Sequence, residues 1–499
     1  MASRIGSSTS TRAALAELLR PESPVQQVAG EFQKDGKQLF LVGGAVRDAL
    51  LKRRRKEAEF DFATDASPEE TRTLIEPFAS AVWLQGEQYG TIGARIGSVD
   101  VEITTFRTER YQPSSRHPEV TFSADIETDL SRRDFTINAM ALHLVDRKLI
   151  DLFNGIGDLE QRIIRTPLDP RDSFSDDPLR MLRAFRFASE LDFRIADETL
   201  EAIAELRGEL ANISMERVRD ELARLLLGAA PGRALALAEE SGLTEYFLPE
   251  LSSLKLEQDP VHRHKDVFTH TLAVLERTEP DLHLRLAALL HDVGKPKTRR
   301  IGPEGVSFHH HEVVGAKIAA TRLRELRYPN DVVASVSEAI RLHHRFHTYR
   351  LGWSDSAVRR YVRDAGSILP LVNDLVRADC TTRNTDKARK LAKRMDELED
   401  RIQELAAQEE IARIRPELDG TQVMAYLGVP GGPVVGEAMD HLLDVRLDEG
   451  VLGEEETYRR LDKWARNRDI EPTGERVAAK PKKDERDEKD KDSPEPPAP

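Results

Sequence analysis

The run from Leu41 to Asp65, LVGGAVRDALLKRRRKEAEFDFATD, constrains this chain more than any other stretch. It sets a double glycine and an Arg-Asp pair a short distance before Glu59 and Asp61, two acids flanking one phenylalanine. On a strand, a period of two sends both carboxylates to one face and Phe60 and Phe62 into the core. Two acids side by side on a rigid strand, near a glycine turn that can approach phosphate, make a site for a divalent metal and a triphosphate. The pattern points to phosphoryl transfer. The plainer alternative is a strand-turn-helix cap beside a solvated acidic edge.

At 499 residues the chain is too long for one core and predicts three or four domains. No uninterrupted apolar run approaches the ~18 residues of a membrane helix. The N-terminal MASRIGSSTSTRAALAELL lacks the apolar core of a secretory signal. A single cysteine, Cys380, excludes an intramolecular disulfide framework and suits a reducing cytoplasm. The net charge of −14 argues only weakly against an RNA partner. Net charge governs solubility more than local binding, and Arg53-Arg54-Arg55-Lys56 still offers a positive track.

Residues 25–160 alternate short apolar runs (Leu39–Val42, Ala81–Leu84, Val101–Phe106, Leu149–Phe153) with turns and helical stretches, the mark of an α+β domain. From 161 the pattern turns helical, with apolar spacing such as Leu222, Leu225, Leu226. Residues 260–350 hold eleven of the fourteen histidines. Leu391, Met395, Leu398, Ile402 and Leu405 predict one long amphipathic helix, too short for a coiled coil. Mixed charge and prolines after 470 predict a disordered tail.

A third acid, Glu102, alternates with Val101 and Ile103, so a strand there could bring it beside Glu59 and Asp61. Three carboxylates suit two Mg²⁺ ions, one activating a hydroxyl and one neutralising pyrophosphate. Gly43 and Gly44 allow close approach to phosphate, and Arg47 supplies a charged fork one turn later. S-R-R-D-F-T-I-N-A-M (131–140) sets two arginines and an aspartate before a strand-like run. D-L-F-N-G (151–155) reads as a strand ending in a turn. D-D-P-L-R-M-L-R (176–183) opens a helix with Asp177 as N-cap and Pro178 at its first position. Asp177 and Arg180 could then meet the polar edge of a base, although taken without the other motifs they read better as a cap and a helix salt bridge.

The order of these motifs closely resembles the class II CCA-adding enzymes and poly(A) polymerases, and most of all the bacterial tRNA nucleotidyltransferases with an appended HD domain, in the form found in actinobacteria. The resemblance covers roughly residues 25–460. It implies an α+β fold: a polymerase β-like nucleotidyltransferase head of mixed sheet plus helices, then an all-α neck, an HD-type helical domain and a helical tail. The domains it implies are an extension at 1–24, head 25–160, neck 161–252, HD domain 253–400, tRNA-binding tail 401–470 and disordered tail 471–499. Glu59 and Asp61 would hold the catalytic metals, with Glu102 as the third acid. Gly43, Gly44, Arg47 and Asp48 would hold the triphosphate; Arg132, Arg133, Asp134 and Asn138 would contact ribose and phosphates. Asp151 to Gly155 would be a hinge, Asp177 and Arg180 would pair with incoming CTP or ATP, and Arg217 would buttress them.

Three departures stand out. Glu59 occupies a position where the family usually has Asp, and Asp176 begins the base-reading pair in place of Glu. Lys52 stands where a glycine is expected, in a loop about two residues longer than is common. Glu57 could compete with Glu59 as a ligand, although Asp61-Phe62-Ala63-Thr64 fixes the register better for Glu59.

His270, the adjacent pair His291-Asp292 and Asp379 offer the nitrogen and oxygen ligands of hydrolytic metal centres, with His311 and His343 as further candidates. This H…HD…H…H…D order resembles the HD phosphohydrolase superfamily, and a divalent transition metal such as Mn²⁺, Ni²⁺ or Fe²⁺ would suit it. His309, His310 and His344 read as spectators. The turn-rich Leu427–Gly436 stretch resembles a helix-to-helix connection that could meet a phosphate backbone.

The leading reading is a cytoplasmic, template-independent RNA nucleotidyltransferase that adds or repairs the 3′-terminal CCA of tRNA from CTP and ATP, with no membrane partner. It would contact the tRNA 3′ end and the acceptor and elbow. A poly(A) polymerase or a partial C- or A-adding enzyme shares the same motifs. A metal-dependent phosphohydrolase whose head only binds RNA, and a non-catalytic RNA-binding protein, are the alternatives of other classes.

Overall fold

A computed structural model describes residues 15, 20, 23–53, 59–110, 119–122, 125–256, 266–302, 305–346, 353–380, 385–409 and 415–479. Glu57 and Arg54 to Lys56 lie outside the described residues. The chain divides into two compact units, residues 1–341 and 342–499.

The first unit is built on a seven-stranded sheet. Its strands include Leu39–Val42 (β1), Glu59–Thr64 (β2), Ala81–Trp83 (β3), Thr91–Ile96 (β4) and Val99–Thr105 (β5). The order runs β3-β4-β5-β2-β1, and Met140–His143 and then Lys148–Asp151 complete the side beyond β1. Only β2 and β5 run parallel; every other neighbouring pair is antiparallel. The expected α+β head is therefore a mixed sheet with helices.

Strand alternation sorts this sheet by face. Val42 lies opposite Asp61 and Phe40 opposite Ala63, so the four share one face. Phe40, Val42 and Ala63 are buried there with Phe106, Leu130 and Ala141. Each large side chain so buried contributes about 1.5–3 kcal/mol. Asp61 thus sits at the solvent-exposed end of an otherwise apolar face. Phe62 points the other way into the core at 1% exposure, while Phe60, nearer the strand start, is half-buried.

Two helices adjoin this sheet for local reasons. Gly44–Leu50 follows β1 directly, across Gly43 at φ 69°. Ile126–Ser131 is started by Asp125, whose carboxylate accepts from the Glu127 N–H. The following helices include Pro170–Asp176, Leu179–Leu191, Met215–Leu226 and Pro231–Glu240. Leu222, Leu225 and Leu226 are fully buried, as their spacing requires. Further along, Val267–Leu275, Leu282–Leu290, His311–Glu325 and Asn330–Leu342 lie in the histidine-rich block, the first three carrying His270, His283 and His311.

In the second unit, the Thr385–Glu409 helix buries Met395, Leu398, Ile402 and Leu405. The helix Gly420–Leu427 ends at Gly428 with φ 69°, and Pro433 starts the next, Pro433–Glu449, so 427–436 is a helix-to-helix connection. Both pack with Glu454–Arg466 around Leu442, Tyr458, Leu461 and Trp464.

The Thr385–Glu409 helix is continuous across 400/401, and the Gly155–Gln161 helix across 160/161. Several expectations need correction. Residues 471–479 are not disordered: Thr473 Oγ1 donates to the Ala425 carbonyl at 2.8 Å, and Arg476 pairs with Glu455 at 2.6 Å over the Tyr458 ring. Residues 480–499 lie outside the described residues. The strand-like run after Asp134 is a 3₁₀ turn, Thr136–Asn138, and the strand begins at Met140. Pro178 precedes the Leu179–Leu191 helix as its cap residue, and Asp177 accepts from the Leu179 N–H from just outside. Lys52 adopts φ 55°, the left-handed conformation that glycine adopts without a Cβ penalty.

Candidate functional site: a carboxylate ledge and a histidine cluster

The ledge follows from register alone. Asp61 on β2 lies directly opposite Glu102 on β5, and both side chains are exposed. Glu59 opens β2 two residues earlier, opposite Asp100. Asp100 is already engaged, since Arg95 grips both its oxygens at 2.6 and 2.8 Å. The glycine turn closes the site from above. A Cβ placed on Gly43 would stand 3.3 Å from Arg133 Nη1 and 3.6 Å from Asp61 Oδ2. Only glycine suits this place, where positive φ and the lack of room act together. Gly44 begins the helix behind it. Hard oxygen donors beside a guanidinium suit a Mg²⁺-type cation carrying phosphate.

Behind the ledge the remaining residues lock one another. Asp129, fully buried, receives Arg132 at 2.6 Å and Arg133 at 3.0 Å, which fixes both guanidinium groups near the surface. Burial alone would raise the Asp129 carboxyl, but the two arginines outweigh it and hold it below its usual range.

Asp134 was expected to contact ribose, yet its oxygens are filled from within. Oδ1 accepts from Phe135 N–H at 2.8 Å and from Asn138 Nδ2 at 3.0 Å. Oδ2 accepts from Arg183 Nε at 3.0 Å and Nη2 at 2.6 Å. A carboxylate offers about four acceptor sites, so Asp134 is saturated. Burial opposes its charge, but Arg183 and the Asn138 hydrogen bond prevail and keep its pKa far below normal. Asn138 passes the connection on by accepting from Arg47 Nη1 at 2.9 Å, and Arg47 also holds Asp48 at 2.8 Å.

Arg183 reaches Glu221 of the Met215–Leu226 helix as well, at 3.2 Å. Arg186 joins the same carboxylate at 3.3 Å and lies 4.0 Å from the Phe187 ring centroid. Burial, with Arg183 alongside, pulls the Arg186 guanidinium down to about 10. Among the residues meant for the base, Arg180 is buried, donating to Ser173 Oγ at 2.9 Å and to the Arg132 carbonyl at 2.5 Å. Asp177 is held by Arg217 at 3.0 Å. Asp151 caps the Gly155–Gln161 helix, accepting from Gly155 N–H at 2.6 Å and Ile156 N–H at 2.9 Å. Sequence reasoning missed Asp129, Arg183, Arg186 and Glu221. The spacing Asp129–Arg132–Arg133 was a legible helix-pair signal.

A second constellation forms in the histidine-rich block. His270, His291 and Asp292 offer donor atoms that all lie within 4.8 Å of one another. His291 Nδ1 faces the Ala288 carbonyl at 2.8 Å, and His311 Nδ1 faces the Phe308 carbonyl at 2.9 Å. A carbonyl only accepts, so each Nδ1 carries the proton and each Nε2 turns a lone pair towards Asp292. His291 Nε2 comes within 3.2 Å of Asp292 Oδ2 and 3.4 Å of His270 Nε2. His311 Nε2 lies 3.6 Å from Asp292 Oδ1. Burial, only partly offset by Asp292, lowers the His311 pKa and favours its neutral form.

Acceptors converging in this way fit a divalent cation of nitrogen-and-oxygen preference. Lys295 adds its ammonium to Asp292 at 2.6 Å, a partner the sequence did not suggest. Gly294 allows this packing, since a Cβ there would lie 2.1 Å from the His311 carbonyl oxygen. In the second unit, His343 is buried just past the Asn330–Leu342 helix, and Asp379 ends the Leu369–Asp379 helix. His309 and His310 are exposed.

Comparison with known proteins follows the same division. Residues 39–165 match the poly A polymerase head domain family, 192–255 the probable RNA and SrmB- binding site of polymerase A, and 267–406 the HD domain. The head therefore defines a nucleotidyltransferase of the poly(A) polymerase type. An A-adding tRNA nucleotidyltransferase of Deinococcus radiodurans is 34% identical over 438 residues, spanning 85% of this chain and 95% of that protein. A CCA-adding enzyme of Bacillus licheniformis is 44% identical over 226 residues, 45% of this chain and only 55% of that enzyme. The crystal structure of the Bacillus stearothermophilus CCA-adding enzyme in complex with CTP matches with a TM-score of 0.65 at 27% identity, covering 91% of this chain and 98% of that one. The chain belongs to the tRNA nucleotidyltransferase family with a poly(A) polymerase head and an HD domain. No helix among the described residues is long and apolar enough to cross a membrane.

Proposed function

We propose that this chain adds nucleotides from CTP and ATP to the 3′ end of tRNA in the cytoplasm, building or repairing the terminal CCA. The carrying observation is the meeting of Gly43, Arg133 and the exposed Asp61–Glu102 pair at one place. The primer 3′-hydroxyl attacks the α-phosphate in line, and pyrophosphate leaves. Glu59, Asp61 and Glu102 would hold Mg²⁺, which when bound would lower the pKa of a hydroxyl and neutralise phosphate charge. The Gly43–Gly44 backbone, Arg132 and Arg133 receive the triphosphate, with Arg47 and Asp48 supporting the turn. Asp134 and Asn138 act by positioning, because their polar atoms are used internally. Asp177 and Arg180 present the base-reading edge, steadied by Arg217. In the HD domain, His270, His291, Asp292 and His311 suit Mn²⁺, Ni²⁺ or Fe²⁺, and the domain is a candidate phosphohydrolase.

A second reading, addition of the terminal A alone, is favoured by the A-adding relative that aligns over 85% of this chain. One assay separates them. Transcripts lacking CCA, CA or A are incubated with labelled CTP, ATP and Mg²⁺ and resolved at single nucleotides. Full addition gives completed ends on all three. Extension only of the transcript lacking A supports the second reading, and no extension of any refutes both.

A further inference from the structure

The two halves of the histidine cluster are joined by an arm. It leaves Asp292, passes through the short helix Lys295–Thr298 and the antiparallel strands Arg300–Gly302 and Gly305–Ser307, and returns through Phe308 to His311. Between Val293 and Gly302 it carries Lys295, Lys297, Arg299 and Arg300 and no acid. In a chain of net charge −14 this is a sharp local reversal. Lys295 is committed to Asp292. Lys297 and Arg300 are exposed, and among the described residues neither makes an ion pair. Arg299 is half-buried, and its Nε is buried without a hydrogen-bond partner. The register places Arg300 with Ser307 on one face of the hairpin and Ile301 with Val306 on the other, Ile301 being 72% exposed.

Here three guanidinium or ammonium groups fall in the span of four residues, 297–300, within a stretch from Val293 to Gly302 that holds no acid; Glu304 follows in the sequence. Clustered cations of this kind bind a polyanion by releasing its counterions, whatever its sequence.

We propose that the arm formed by Lys297, Arg299 and Arg300 is an RNA-backbone contact, holding tRNA phosphates next to the histidine cluster. This rests on the reading that tRNA is the substrate. It adds a contact surface outside the head, and it uses none of the residues assigned to nucleotide transfer or to the cluster.

The test is binding of a tRNA transcript lacking CCA to the full chain across a salt series, by filter retention or fluorescence anisotropy. The variant is Lys297→Gln/Arg300→Gln. A charge-matched control, Arg147→Gln/Lys148→Gln, alters two exposed cations at the sheet-edge turn. The arm variant is expected to bind on the order of fivefold to tenfold more weakly near 0.1 M salt, and to lower the slope of log K against log salt by about 1.5. The control should match the unaltered chain, and all three should share one melting temperature because the altered groups are exposed. Unaltered binding by the arm variant would overturn the proposal, as would equal weakening by arm and control. A native chain that binds no tRNA would sink both this proposal and the functional reading beneath it, whereas native binding with an indifferent arm would sink this proposal alone.

Discussion

Asp61 and Asp134 are both acids of the head, and the structure treats them in opposite ways. Asp61 stands exposed on a parallel strand pair, opposite Glu102 and under the Gly43 turn. Asp134 is buried and takes four hydrogen bonds from Phe135, Asn138 and Arg183. A carboxylate with free lone pairs at a surface can take a metal or a substrate; one already saturated can only hold its neighbours in place. The ledge is positioned by the backbone ladder of the sheet. The strut behind it is positioned by charge, and it ties the Arg132–Asn138 segment to the Leu179–Leu191 and Met215–Leu226 helices.

The largest stability effect should come from the strut. Arg183→Met leaves Asp134 and Glu221 without their shared partner. About a third of the Arg183 side chain reaches solvent, 31%, so the cost should be about 3 kcal/mol, at the low end for breaking a buried pair. Chemical denaturation measures it, and a loss below ~1 kcal/mol would show that the strut is dispensable. Next comes the turn. Gly43→Ala forces a non-glycine residue to φ 69° and should cost about 1–3 kcal/mol. It should also displace Arg133 and Asp61, cutting nucleotide incorporation about tenfold to a hundredfold. Stability loss with unchanged incorporation would separate the turn from the ledge.

The acid response sharpens the contrast further. The Asp134 pKa is lowered in the folded chain, so its contribution is complete above about pH 4 and is lost as pH falls below that. Denaturation midpoints followed from pH 6 to pH 3 should fall less steeply for Arg183→Met than for the native chain; equal slopes would contradict the strut. The smallest effect belongs to Asp100→Asn. Asp100 faces Glu59 but is held by Arg95 at an exposed site, so incorporation and melting temperature should stay at native levels. A marked loss of incorporation would make Asp100 a ledge residue.

Much of the ledge was legible in sequence because its logic is local. Alternation in E-F-D-F and V-E-I predicted which acids share a face, and the paired glycines predicted the turn. Helices such as Met215–Leu226 were legible from apolar spacing for the same reason. The strut was not, because Asp134, Arg183 and Glu221 meet only through tertiary packing and follow no period in the chain. Asp134 consequently read as a ligand contact, and its four internal hydrogen bonds were not legible. The segment 471–479 misled in another way. Its composition is that of a disordered segment, yet Thr473 and Arg476 find partners on helices already packed.

If the ledge carries nucleotide transfer, removing one of its charges must slow it sharply. Single-turnover incorporation of CMP or AMP into tRNA transcripts, comparing the native chain with Asp61→Asn, is the measurement that decides this. Incorporation should fall on the order of 10²–10³-fold or more, with the melting temperature unchanged because Asp61 is exposed. Native-level incorporation by Asp61→Asn would contradict that role of the ledge.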